Sequence, residues 1–309
     1  MRLTILLVLI VGSIPYPIFS QGCSDAGFCT MGAMKPDQPY NKKLEFKLRT
    51  VELSFYRGTT TLTPIVYVTT LDLSFSLNRR NTLQVKLPFQ FVEGRLASTS
   101  SLGDISFCLT RNLFSSDKFD VNLSVGGKIP TNASKKNTQG LPLPMYYQTS
   151  LGTYDAIAGL SLVSRNWLFA TGIQVPLNQN SNEFIWSAWD GTEEEAYADR
   201  YDQAKDLTRG IDIMLRVERN LRLSRFNFSI GLLPIYRVTR DEFTNSRGQR
   251  IVSGKAMGLA LSGIVTSGYS FNTQSGLRLL LGHKIVQRDL NPDGLTREFV
   301  SSLTYIHKF

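Results

Sequence analysis

Histidine, cysteine and tryptophan are all scarce, at two, three and three residues in a chain of 309. No histidine stands close in sequence to a cysteine, so a Cys–His metal site has no support. No stretch of 18 or more apolar residues follows residue 14, which excludes a protein that crosses a membrane with several helices. Nucleic-acid motifs and a soluble basic domain are also missing, so the net charge of +9 does not point to a nucleic-acid partner. With 42% hydrophobic residues, the chain is too apolar to be disordered. Any role in a membrane must therefore be played by strands.

Residues 1 to 20 read as a secretory signal peptide: Arg2, an apolar run from Leu3 to Val11, a break at Pro15 and Pro17, and Ser20 before the cleavage point. The prolines cut the run well below the roughly 20 residues that a helical span needs. An exported chain meets an oxidising compartment, so Cys23 and Cys29 are expected to close a small disulfide loop. Lipidation of Cys23 is the alternative, although the aliphatic residue usual three places earlier is missing. Cys108 is left as an unpaired small side chain in a strand.

From residue 44 onward the dominant period is two. In Leu83-Gln84-Val85-Lys86-Leu87-Pro88-Phe89-Gln90-Phe91 every odd position is apolar, and the same alternation recurs around residues 119–125, 211–218, 226–232 and 277–282. Twelve strands are predicted, over 44–57, 63–77, 81–94, 103–113, 118–129, 149–163, 166–176, 208–220, 225–240, 255–270, 274–288 and 296–309. Most reach the roughly 9–11 residues that a tilted strand needs to cross a bilayer. Their links alternate in length. Those at 78–80, 114–117, 164–165, 221–224 and 271–273 are brief, and those at 95–102, 130–148, 177–207, 241–254 and 289–295 are longer. The expected fold is all-β: a transmembrane antiparallel up-and-down barrel of about twelve strands spanning 44–309, with tight periplasmic turns and long outside loops. A soluble sandwich also alternates, but its strands are seldom this long. The chain ends with Leu303, Tyr305 and Phe309 at period two, resembling the terminal strand by which the barrel-assembly machinery recognises outer-membrane proteins.

In such a barrel the apolar alternates face lipid and the polar ones line the lumen. The phase assigns Asp72, Lys86, Asp104, Asp120, Lys128, Asp212, Arg216, Glu218, Arg278 and Lys284 to the inside, five acids against five bases. They must pair or be hydrated, giving either a salt-bridged, partly plugged lumen or a narrow wet pathway with little net charge preference. The segment 21–43 is too short for a domain, and is expected to hang in the periplasm or to fold into the lumen as a plug. The acids Glu193, Glu194, Glu195, Asp199 and Asp202 fit a solvated outer loop better than a calcium site, since their spacing matches no loop signature. Lys135, Lys136, Arg247, Arg250 and Lys255 are placed to meet lipopolysaccharide phosphates. No metal and no cofactor are expected.

Twelve-stranded outer-membrane phospholipases carry a His and, two residues later, a Ser. His283 is followed by Lys284-Ile285 and His307 by Lys308-Phe309, so no enzymatic role is assigned. At Leu102-Gly103-Asp104-Ile105-Ser106-Phe107 and Lys128-Ile129-Pro130-Thr131-Asn132 the chain resembles the outer-membrane proteins of the phenol-degradation MetA-pathway family. In that family a Gly-Asp opens a strand and a Lys-Leu-Pro-Thr-Gly-like segment closes the next hairpin. Asn132 departs from the glycine. The resemblance covers the barrel from about the third strand onward, and implies an outer-membrane channel for small hydrophobic or aromatic solutes. The function expected is passive or facilitated diffusion through a monomer, the alternative being a plugged barrel that anchors an envelope complex.

Overall fold

The computed structural model describes residues 30–35, 47–59 and 64–309; the leader, Cys23 and Cys29 lie outside the described residues. Twelve antiparallel strand positions form one closed wall. They are β1 (Lys47–Thr59), β2 (Ile65–Ser76), β3 (Asn81–Glu93), β4 in two pieces (Ser98–Leu102 and Ile105–Ser115), β5 (Phe119–Ile129), β6 (Asp155–Ser164), β7 (Trp167–Pro176), β8 (Asp212–Arg222), β9 (Phe226–Arg237), β10 (Gly258–Ser270), β11 (Ser275–Val286) and β12 (Phe299–Lys308). Each pairs with its neighbours in sequence, and β12 returns to β1 from Thr50↔Lys308 to Thr59↔Phe299. The all-β up-and-down barrel read from the alternation is the fold observed.

The two faces are inverted relative to a soluble protein. On β3, Gln84 and Gln90 are each 5% exposed, whereas Phe89 is 50% and Phe91 40% exposed. A greasy exterior around a polar interior is stable only when hydrocarbon surrounds the cylinder. Side-chain caps keep the turns at one end tight. Asn78 Oδ1 accepts the Arg80 and Asn81 N–H groups (2.9 and 3.0 Å), and Asn272 Oδ1 accepts those of Gln274 and Ser275 (2.8 and 2.6 Å). Ser116 and Ser164 do the same for Phe119 and Trp167 (3.1 and 3.0 Å).

One link departs from the sequence reading. Residues 95–102, expected to be a long outer loop, hold a tight turn in which the Gly94 N–H donates to Ala97 O (3.1 Å). Ser98–Leu102 then runs beside β3, from Glu93↔Ser98 to Phe89↔Leu102. Ser98-Thr99-Ser100-Ser101 is polar on both faces and so has no alternation, yet its backbone serves the ladder as well as any other. Gly103 and Asp104 interrupt β4, with the Gly103 N–H on Pro88 O (2.8 Å).

Long loops close the other end. Leu143, Tyr146 and Tyr147 from the loop after β5, and Phe184, Trp189, Ala198 and Tyr201 from the loop after β7, bury one another against Val66, Val68 and Val92 of the wall. Trp189 donates to Pro142 O (2.9 Å) and Trp186 to Tyr201 O (2.8 Å). Gly294, in the loop after β11, has a φ of 68° and presses its backbone onto Tyr146, where a Cβ would lie 2.7 Å from the Tyr146 nitrogen. Glycine alone adopts that conformation without strain. The acidic run is spread across this cap: Glu194 meets Arg95 (2.7 Å) and Glu195 accepts the Gly191 N–H (2.7 Å). Asp202 instead ties two loops together by accepting the Asn291 N–H (2.7 Å).

Burial drives the Asp202 carboxyl up to about 6; the Asn291 N–H opposes the shift, and Asp293 and Asp241 add to it. Asp293 behaves oppositely, because Arg237, Arg288 and Arg209 outweigh its burial and hold it below the usual carboxylate range. A folded-state value raised above the ordinary 3.8 means that protonated Asp202 stabilises the docked loops. That stabilisation is complete below 3.8 and is lost as pH rises through about 6.

Two outcomes are expected. Hydrogen exchange in the loop 177–211, corrected for intrinsic rates, should quicken between pH 4 and pH 7, and Asp202→Asn should abolish the step and protect the loop at pH 7; slower exchange at pH 7 would contradict this. Leu123→Arg, on the outer face of β5, should destabilise the barrel in lipid vesicles by about 2–4 kcal/mol in urea titrations. Asn122→Gln on the inner face should cost far less, and equal losses would refute the inverted faces.

Candidate functional site

The interior of the cylinder is filled in part by the chain itself. Residues 30–35 lie inside the wall, with a 3-10 turn at Gly32–Met34. Wall side chains hold their backbone: the Gly32 N–H donates to Gln84 Oε1 (2.8 Å), the Ala33 N–H to Ser124 Oγ (2.6 Å), and Arg216 donates to Met34 O (3.4 Å). Lys86 donates to both Thr30 O (2.8 Å) and Thr30 Oγ1 (2.7 Å). Met31 and Met34 are fully buried against Ile157, Met214, Leu233 and Ile264. Those four apolar residues face inward, against the polar-in rule, and this segment is what covers them. At position 32 the φ is 48°, and a Cβ would stand 2.4 Å from Cys108 Sγ and 2.6 Å from Ser124 Oγ. Only glycine fits there. Cys108 is buried and free of any disulfide.

Asp72, Asp104, Lys128, Asp212, Arg216, Glu218, Arg278 and Lys284 are buried on the inner face, while Lys86 and Asp120 are half-buried. They fall into separate clusters. Near β1 to β3, Lys35 of the inserted segment meets Glu52 (2.6 Å) and Asp72 (3.5 Å), Arg278 meets Glu52 (2.7 Å), and Lys86 meets Asp72 (3.8 Å). Elsewhere on the wall, Arg216 pairs with Glu218 (2.5 Å) and Lys128 with Asp104 (3.3 Å). Towards the long loops, Arg237 meets Asp212 (2.7 Å), Asp241 (2.8 Å) and Asp293 (2.7 Å), with Arg288 also on Asp212 (3.1 Å). Arg209 meets Asp155 (2.6 Å), which also accepts from Gln174. Lys284 donates to Gln287 (2.9 Å), and Asp120 at the short-turn end accepts the Ser115 hydroxyl (2.5 Å). Removing one partner of such a pair leaves a buried charge uncompensated, which is strongly destabilising.

Glu52 and Arg237 escape the sequence reading although their phase is legible, since Glu52 alternates with Val51 and Leu53, and Arg237 follows outward Tyr236. Lys35 and Asp293 come from segments without period; Arg209 and Arg288 fall at the ends of the predicted strands 208–220 and 274–288, but the observed strands begin at Asp212 and end at Val286, so phase does not set their direction.

Two cavities flank the Lys35 cluster. One, of 140 Å³, has an apolar wall of Tyr56, Val68, Ile264, Leu280 and Val300, with Lys86 and Asp72 beside it. Val68 belongs also to the aromatic cap, and Tyr56 packs against it. The other, of 510 Å³, opens at the short-turn end among Arg79, Arg80, Thr82, Asn112 and Lys308. Lys35, Glu52 and Arg278 line both, so this ion-paired trio is their common partition.

The histidines stand on the outside of the wall. His283 is exposed, and His307 Nδ1 lies 3.2 Å from Ser275 Oγ on the facing strand, a pair that scanning along one strand cannot find. Tyr305 donates to the same hydroxyl (3.3 Å), and the imidazole packs edge-on to Phe309 (4.7 Å). Among the described residues no carboxylate hydrogen-bonds this ring, so the pair lacks the orienting group on which hydrolytic triads rely. Leu303 and Tyr305 also face outward, and Phe309 is 68% exposed with its N–H on Arg49 O (2.9 Å). Among the described residues no cluster of three metal-ligating side chains forms.

No family model and no curated protein matches the sequence. Solved structures do. The COG4313 outer membrane channel from Pseudomonas putida F1 is similar at a TM-score of 0.57 and 15% identity, over 88% of this chain and 99% of that one. The NanC porin is similar at 0.45 and 11% (84% and 98% covered), and the CymD monoaromatic hydrocarbon channel at 0.41 and 10% (94% and 94% covered). The resemblance to outer-membrane barrels drawn from the sequence holds at the level of the fold: this chain has the architecture of an outer-membrane β-barrel.

Proposed function

We propose that the protein conducts small solutes passively across the outer membrane, and that residues 30–35 gate the path. The observation that carries this reading is the partition between the two cavities. One of its three charged members, Lys35, belongs to the inserted segment and not to the wall. Withdrawing the segment would join the cavities without breaking any strand pairing. It would also bare Ile157, Met214, Leu233 and Ile264, a surface suited to apolar or aromatic bodies. The solutes suggested by the MetA-pathway resemblance, small hydrophobic or aromatic compounds, agree with such a lining. A monomer assembled through Leu303, Tyr305 and Phe309, with Lys135, Lys136, Arg247, Arg250 and Lys255 towards lipopolysaccharide, completes the reading.

The sealed scaffold is the second reading. It is favoured by the same inserted residues and by the ion-paired interior, and it differs in one measurable respect. In planar bilayers the wild-type protein should give small, intermittent conductance steps. Gly32→Val, which cannot fit beside Cys108, and Lys35→Ala, which breaks the partition, should each raise the mean conductance severalfold. Gel mobility of the folded barrel before and after heating controls for assembly. Folded variants that stay electrically silent would reject the channel and leave the scaffold.

A further inference from the structure

Counting inward charges by alternation predicts little charge preference, but their placement is uneven. The 510 Å³ cavity at the short-turn end carries Arg79 and Arg80 on the β2–β3 turn, Arg49 on β1 and Lys308 on β12. Lys35 and Arg278 stand deeper in it. The acids there are Glu52 and Asp120. Glu52 is already met by Lys35 (2.6 Å) and Arg278 (2.7 Å), and Asp120 by the Ser115 hydroxyl (2.5 Å). Lys118, Arg165, Arg222 and Arg225 sit in or beside the other turns of the same end. In the interior at the long-loop end, by contrast, the buried Arg209, Arg237 and Arg288 are met by Asp155, Asp212, Asp241 and Asp293.

A cavity mouth lined by one sign of charge between low-dielectric walls concentrates ions of the opposite sign. Arginine in particular offers carboxylates a two-pronged contact. Beyond the partition, the 140 Å³ cavity offers Val68, Ile264 and Leu280 to an apolar body. A space of about 150 Å³ holds one benzene ring. Building on the channel reading, we infer that the path selects small organic anions: a single carboxylate head that meets the basic mouth, and an apolar body of about one ring that fits the inner cavity.

The test is ion selectivity, with sodium benzoate as the probe. Under a KCl gradient across a planar bilayer, the wild-type protein and Gly32→Val should show a reversal potential corresponding to chloride over potassium by about threefold. The double variant Arg79→Glu/Arg80→Glu changes exposed turn residues only, and should bring that ratio to unity or below. Benzoate should reduce the chloride current of the wild type and leave that of the double variant nearly unchanged. Potassium preference in the wild type, or a ratio and a benzoate block indifferent to the double substitution, would overturn anion selection while leaving the channel intact. Absence of current in every protein tested would overturn the channel reading and the selectivity with it.

Discussion

A peptide N–H or C=O in hydrocarbon has no water to turn to, and each one left unpaired costs several kcal/mol. The pairing of β12 with β1, from Thr50↔Lys308 to Thr59↔Phe299, removes the two edges that an open sheet would expose. Everything inside follows from that closure. Because the wall is one residue thick, each strand must present alternate side chains to lipid and to the axis. A chain that keeps Phe89 and Phe91 outside must therefore put Gln84 and Gln90 inside. The interior becomes a polar space with limited water, in which charges need partners. Glu52 and Asp72 find theirs partly in Lys35, a residue the wall does not supply.

The inserted segment and the wall are held by bonds of different kinds. Strand pairs share continuous backbone ladders that open only with the whole barrel, whereas residues 30–35 are held by isolated side-chain hydrogen bonds, one ion-paired lysine and two methionines. Local opening draws on the low end of the stability range within a fold, and in the proposed gating it is this segment, not the wall, that would open. Methionine suits such a contact, since its unbranched side chain fills irregular gaps without demanding one geometry. Of the three residues shared by the two cavities, Lys35 comes from this segment, while Glu52 and Arg278 come from the wall.

The barrel was legible because membrane strands leave a strong record: ten to thirteen residues of alternation, punctuated by Asn, Ser and Gly at the turns. Legibility failed where the record is absent, at Ser98–Leu102, whose hydroxyls suit either face. Within the site, side chains on strands could be assigned to the inside by phase alone, and Glu52 and Arg237 obey the same rule. The inserted segment had no comparable signature. Its clue was indirect: Met214, Leu233 and Ile264 occupy inward phases where a wet lumen calls for polar residues, and something apolar had to cover them. Asp293 was beyond reach, and Arg209 and Arg288 were read as strand ends but sit just outside the observed strands, where irregular backbone sets their directions.

The position of charge along the axis matters more than its total. A net charge of +9 spread evenly would make the whole surface weakly attractive to anions. That attraction is screened within about 8 Å at physiological salt. Here the interior arginines at the long-loop end, Arg209 and Arg237, are met by buried carboxylates, while Arg49, Arg79, Arg80 and Lys308 line the cavity mouth at the short turns. Such asymmetry does not pump: in a passive pore the field at one mouth raises local anion concentration and alters rectification, but it cannot change the direction of net flow, which the solute gradient fixes. What a basic mouth would change, in the proposed anion path, is occupancy, because a carboxylate entering from either side would rest there longer than a neutral molecule of the same size. Selectivity of this kind needs no tight binding site and no moving part beyond the segment that separates the two cavities.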